Sequence, residues 1–221
     1  MFGDRLTALQ REIIVSMAVE FPEATLVGGG ALLLAYANHR TTRDLDYFWR
    51  DRDALGETPR NVRLHLETQG YHVHEMQRAW SFHRFRVERE AATVVVDLVA
   101  DPPPPPDSPV DHLVSGVRVR IDTAQSLLAA KLCALLGRAE IRDLQDVREL
   151  LPLDVDLARA MREAASKDTG FSAMTLAWLL RDWKTVEAAV HDGIPMPEAQ
   201  SLGTFRDVFV ERLMEFHDPR G

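Results

Sequence analysis

Hydrophobic spacing divides the chain into segments of helical and of extended period. Apolar Leu6, Leu9, Ile13, Ile14 and Met17 fall on one helix face behind Asp4, which predicts an Asp4-capped amphipathic helix reaching about residue 18. Thr25–Val27 reads as a short buried strand that runs into Gly28-Gly29-Gly30, a turn feeding a short helix over 31–37. Residues 43–49 predict a strand in which Asp44 and Asp46 alternate with Leu45 and Tyr47. A polar helix over 58–69 ends at Gly70. Runs at 71–76, 82–87 and 93–99 predict three antiparallel strands. The last of these is apolar on both faces, as a central strand is, yet it carries Asp97 in its middle.

Beyond residue 100 the pattern changes. Five prolines at 102–106 predict a polyproline II connector leaving the sheet. A short strand at 117–121 precedes a strong helical pattern over 123–136, with Asp122 and Gln125 spaced as a capping box and Gly137 as the stop. Further helices are predicted over 141–151, 157–165, 172–183 and 202–217. The expected organisation is an α/β core at 1–121 and a helical domain at 122–221, without internal repeats.

Composition narrows the function classes. A chain of 221 residues with 46% hydrophobic content can bury a sizeable core. No apolar run is long enough to cross a bilayer, and the first residues carry charges where a signal peptide needs an apolar stretch. A cytoplasmic protein with no membrane partner is the expectation. The single cysteine, Cys133, rules out an internal disulfide or a cysteine-based zinc site and reads as a buried, reduced thiol. His65, His72, His74 and His83 show no zinc-binding spacing. The net charge of -8 argues against a dedicated nucleic-acid binder, although local charge governs contact. Between residues 36 and 90 the arginines balance the acids, so an RNA would bind on this half.

The chemistry concentrates at 27–48. Asp44 and Asp46 share one strand face, where adjacent carboxylates repel unless a cation or proton lies between them. Mg²⁺ takes such oxygen ligands and completes its shell with substrate phosphates. The glycines just upstream lead into a helix N-terminus, which binds phosphates. The two features together point to Mg²⁺ and a nucleoside triphosphate. Asp97 needs a partner amid valines and leucines, and an arginine pair would supply one. Lys131 lies on or beside an apolar helix stripe, where a snorkelling lysine also fits.

The glycines, the helix after them and the spaced aspartates resemble the nucleotidyltransferase core of the DNA polymerase β superfamily. The finer pattern is similar to that of the AbiEii/AbiGii (MenT-like) toxin family. It is carried by Gly29-Gly30-Ala31-Leu32, then His39-Arg40, Thr42, Asp44, Asp46 and Phe48, then Lys131, Ala134, Leu135 and Arg138, then Arg142, Asp143 and Asp146. These pieces occur in order across 27–150. The resemblance implies an α+β fold: a polymerase β-like mixed sheet with flanking helices, followed by a C-terminal helical bundle. It implies Asp44, Asp46 and Asp97 as Mg²⁺ ligands, with Asp97 deprotonating the attacking hydroxyl. Lys131 would hold the β or γ phosphate, and Asp146 would orient Lys131 or the nucleotide. Gly28, Gly29, Gly30, Arg40, Thr42, Arg138 and Asp143 complete the implied nucleotide site.

The implied activity is transfer of a nucleotide, often a pyrimidine, to the 3′ end of tRNA. That makes the chain a translation-blocking toxin with a cognate antitoxin, expected as a monomer. In some family members the position of Thr42 is phosphorylated by an antitoxin kinase. One departure stands out: Ala31 follows the glycines where many relatives place a serine or threonine. The D-x-D pair by itself also fits nucleotidyl transfer to protein or to a small molecule, and a catalytically weak nucleotide-binding module.

Overall fold

The computed structural model describes residues 3–50, 52–101 and 107–216. The five-proline connector and the His217 end of the last predicted helix lie outside these residues. Among the described residues the chain forms a mixed α+β architecture of one seven-stranded sheet and nine helices. It divides into two units, one ending at Thr123 and one beginning at Ala124.

The first unit holds α1 (Ala8–Glu20), β1 (Thr25–Val27), α2 (Gly28–Ala35), β2 (Asp44–Arg50), α3 (Thr58–Thr68), β3 (His72–Arg78), β4 (Phe82–Arg89), β5 (Ala92–Asp101), β6 (Val110–Val114) and β7 (Val117–Ile121). The sheet order is β3-β4-β5-β2-β1-β7-β6. The β3, β4 and β5 strands are antiparallel, β2 runs parallel to β5, and β1 runs antiparallel to β2. Strand alternation makes the sheet two-sided. Leu45, Tyr47, Trp49, Phe85, Val87, Val94, Val96 and Leu98 are buried on one side. Asp44, Asp46 and Phe48 on β2, with Phe82 and Arg84 on β4, share the less buried side.

Local chemistry corrects several sequence expectations. The first helix is capped by Thr7, not Asp4: the Thr7 hydroxyl accepts from the Gln10 N–H, and the Gln10 side chain accepts from the Thr7 N–H. This reciprocal capping box moves the helix start to Ala8. The three glycines are not a turn ahead of a helix; they form the first turn of α2. Of the three, only Gly28 has a positive φ, of 60°. The exposed edge strand β6 lacks a clear alternation of apolar and polar positions, which hid it from the sequence reading.

The second unit contains α4 (Ala124–Arg138), α5 (Ile141–Leu150), α6 (Leu157–Lys167), α7 (Ala173–Asp182), α8 (Thr185–His191) and α9 (Met196–Met214). Gly137 does not stop α4; the helix continues to Arg138, and Ala139 takes the left-handed conformation with φ 49°. The Gln125 half of the expected capping box is not made. Its side chain instead accepts from the Asp156 N–H and donates to the Asp156 carbonyl. The seven-residue α8 was too short to read from periodicity, and α9 begins at Met196, ahead of the predicted 202. Cys133 is half-buried, not fully buried, and its thiol is pushed up in pKa by that burial. No helix among the described residues is long and apolar enough to cross a membrane.

Candidate active site

The candidate residues of the first unit are assembled by strand register. Asp44 and Asp46 project from the same side of β2, while Leu45 and Tyr47 fill the core on the other. The parallel pairing sets Asp46 directly beside Asp97 and Asp44 beside Val95. On its far side Asp97 faces Arg84 across the β4–β5 hairpin. Arg84, Asp97 and Asp46 therefore form one row over three adjacent strands.

The glycine end of α2 meets this row because Val27, the last residue of β1, pairs with Asp46. Gly28 follows at once, and a Cβ built on it would collide with the Asp46 carboxylate. Glycine at this place answers two demands together, a positive φ and close approach of a carboxylate. A Cβ built on Gly29 would lie 2.9 Å from the Thr42 hydroxyl and 3.0 Å from an Arg40 guanidinium nitrogen. Gly30 instead packs toward Leu45 and Leu26 in the core. Val27, the residue at the N-cap of α2, gives the helix no side-chain cap. The first-turn N–H groups of α2 are of the kind that bind anions.

Thr42 links these parts. Its hydroxyl donates to Asp44 Oδ1 at 2.7 Å, and its carbonyl accepts from the Gln10 side chain at 2.9 Å. Gln10 thus carries α1 into the support of the loop before β2, a role invisible without the fold. The Thr42 hydroxyl also reaches Gly29 in the first turn of α2.

Asp97 is almost fully buried and is held by two hydrogen bonds from Arg84, at 2.8 and 2.6 Å. The hydrogen bond to Asp97 raises the Arg84 pKa above its ordinary value. Partial burial opposes that shift, and the charges of Asp97, Asp44 and Asp46 add to it. Arg84 was missed in the sequence, although a signal existed. A two-residue turn at Glu90 and Ala91 joins β4 to β5, so counting back from the Arg89–Ala92 pair reaches Arg84 opposite Asp97.

The second unit gathers the other candidates into a buried ion cluster. Lys131 on α4 donates to Asp143 at 2.9 Å and pairs with Asp146 at 2.7 Å, both on α5. Asp143 also receives two hydrogen bonds from Arg138. Both carboxylates have no exposed side-chain surface, and Lys131 retains 8%. Burial by itself pushes the Asp143 carboxyl up; the Arg138 hydrogen bond and the Lys131 charge outweigh it and hold the group below the usual carboxylate range. Arg142, also in the predicted pattern, pairs with Glu140.

The donor set bears on a metal. Among the described residues no group of three or more His, Cys, Asp or Glu side chains forms a metal cage. Mg²⁺ needs only one or two carboxylates when phosphates and water complete its octahedron. Asp44 and Asp46 supply hard oxygen donors of that kind on one strand face, so the first unit fits such an ion.

Comparison with known proteins bears on the family and the fold. A profile of the family described as nucleotidyl transferase AbiEii toxin, of type IV toxin–antitoxin systems, matches residues 12–212. Among solved structures, JHP933 from Helicobacter pylori is 19% identical, with a TM-score of 0.59 over 94% of this chain and 91% of that one. MenT4, a nucleotidyltransferase toxin from Mycobacterium tuberculosis, is 16% identical, with a TM-score of 0.59 over 95% of this chain and 84% of that one. An antigenic nucleotidyltransferase-like protein from Paracoccidioides brasiliensis is 17% identical, with a TM-score of 0.54 over 84% and 94%. At these identities the structural likeness concerns the fold alone. No curated protein matches the sequence significantly.

Proposed function

The chain belongs to the AbiEii family of nucleotidyltransferase toxins, and from that premise we propose that it transfers a nucleotide from a nucleoside triphosphate to the 3′ end of tRNA, blocking translation. The single observation that carries the reading is the row of Asp46 beside Asp97, with Asp44 on the same face and Gly28 against Asp46. Carboxylates this close are stable together when a cation is shared, and the glycine helix start beside them suits phosphates.

In this reading Asp44 and Asp46 hold Mg²⁺, with Asp97 as a further ligand once it is released from Arg84. When bound, the ion supplies Lewis-acid stabilisation of phosphate charge. The acceptor 3′-hydroxyl attacks the α-phosphorus, its proton passes to Asp97, and the bond from the α-phosphorus to the bridging oxygen breaks as pyrophosphate departs. The N–H groups of the first turn of α2, the Thr42 hydroxyl and Arg40 orient the triphosphate. In the second unit Asp143 and Asp146 hold the Lys131 ammonium group, and Arg138 secures Asp143 in turn. A cognate antitoxin, which silences the enzyme, completes the system. One route is phosphorylation of Thr42, since a dianion beside Asp44 repels the incoming nucleotide.

The test is incubation with each labelled nucleoside triphosphate, Mg²⁺ and total tRNA. Label is expected on the tRNA, with stoichiometric pyrophosphate, and both are expected to fall at least a hundredfold in Asp44→Ala. A loss of that size is about 2.7 kcal/mol of transition-state stabilisation. Label on protein or on a small molecule would redirect the acceptor, and equal pyrophosphate release from wild type and Asp44→Ala would remove the catalytic claim.

A further inference from the structure

Nucleotidyl transfer as derived so far gives Arg84 nothing to do beyond holding Asp97, yet that hold has a consequence. Arg84 donates to both oxygens of Asp97, the carboxylate that stands beside Asp46 in the sheet. A buried ionised carboxylate without a cationic partner is strongly disfavoured, so Asp97 calls for a cation while it is ionised. Arg84 takes one lone pair on each Asp97 oxygen and supplies positive charge that a divalent ion would otherwise bring, so the two compete for this carboxylate. The Arg84 side chain keeps 39% of its surface exposed. Its guanidinium also lies 5.5 Å from the centre of the Phe82 ring, on the same strand and the same face. This cation–π contact is a second hold on the guanidinium, separate from Asp97.

We propose that Arg84 is a built-in counter-ion: it holds Asp97 while cation and nucleotide are absent, yields that carboxylate to a divalent cation, and turns to a phosphate oxygen of the nucleoside triphosphate. Each anionic group keeps a cationic neighbour through the exchange. One cation replaces another at Asp97, and the displaced guanidinium meets the anion that arrives with the ion. No covalent bond changes. Arg84 is in this sense a positioning residue, and its assignment rests on the nucleotidyl-transfer reading above.

The experiment measures Mn²⁺ binding to the full chain by electron paramagnetic resonance without nucleotide, then KM and kcat for the nucleoside triphosphate. It compares wild type, Arg84→Ala, Arg84→Lys and Asp44→Ala. Arg84→Ala is expected to bind Mn²⁺ about tenfold tighter, because the competing cation is gone, while its KM rises about tenfold and kcat moves less. Arg84→Lys, which retains a cation for Asp97 and a smaller demand on folding, is expected to keep Mn²⁺ affinity near wild type and still lose nucleotide affinity through its single-point charge. Mn²⁺ binding no tighter in Arg84→Ala than in wild type, or an unchanged KM in both variants, overturns the role. If Mn²⁺ binding is abolished by Asp44→Ala but insensitive to Arg84→Ala, only the Arg84 assignment falls. If neither wild type nor Arg84→Ala binds Mn²⁺, the metal-dependent reading falls and takes this one with it.

Discussion

At the scale of single residues, Gly28 carries the sharpest constraint. Its φ of 60° and the Asp46 carboxylate against its Cα each exclude a side chain. Gly28→Ala is expected to lose about 1–2 kcal/mol from the left-handed backbone alone. The catalytic loss is expected to exceed that, because the new methyl must push Asp46 away. Urea unfolding of the variant beside pyrophosphate release separates the two, and activity that falls only in proportion to stability would show that Asp46 need not sit against α2. Position 28 was legible as a glycine before a helix, but the object it accommodates was not, since Asp46 is eighteen residues away in sequence and adjacent only through the β1–β2 pairing. Thr42 shows the same limit: its hydroxyl reaches Gly29 from a separate loop.

At the scale of elements, the α4–α5 pair is joined by charge inside its apolar interface. Leu127, Leu128, Leu132 and Leu135 bury one side of α4, and Lys131 sits in the same stripe. Removing one member leaves an uncompensated buried charge, so Asp146→Asn or Lys131→Met is expected to cost ~3–5 kcal/mol in chemical unfolding. A surface-like cost below 1 kcal/mol would mean that the cluster is solvated in solution. The depressed Asp143 carboxyl sets the pH sign. Its contribution is complete above the unfolded carboxyl value of about 3.9 and is lost as pH falls through the lower folded value. Asp143→Asn is therefore expected to be less stable than wild type at pH 7, with the gap closing as pH falls below about 4. A gap independent of pH would contradict the depressed value. The i, i+3 spacing of Asp143 and Asp146 was readable in sequence, whereas their common partner Lys131 required two helices in contact.

At the scale of the whole molecule, a chain of net charge -8 is proposed to act on a polyanion. Such an encounter depends on a few local cations, so the KM for tRNA is expected to rise about tenfold between 50 and 200 mM salt, as two phosphate contacts would give. A salt-independent KM would argue for an acceptor other than nucleic acid. The same proposal predicts that induced expression halts protein synthesis in a bacterial host and that Asp44→Ala does not, measured by incorporation of labelled amino acid. Equal arrest by both proteins would place toxicity outside the carboxylate site.

The sequence alone determined which residues carry charge on which element, because strand and helix periods are local: Asp44 and Asp46 share a face by the two-residue period of β2, and Lys131 lies in the α4 stripe by the helical one. It also determined the family, through an ordered set of short motifs. Which of these groups touch was decided only by tertiary structure. The register of β2 against β5 sets Asp97 beside Asp46 and not beside Asp44, and the β4–β5 hairpin gives Asp97 to Arg84. A shift of one residue in either register would turn every side chain of the strand to the opposite face. Register is fixed by the whole buried side of the sheet acting together, and no local stretch of chain contains it.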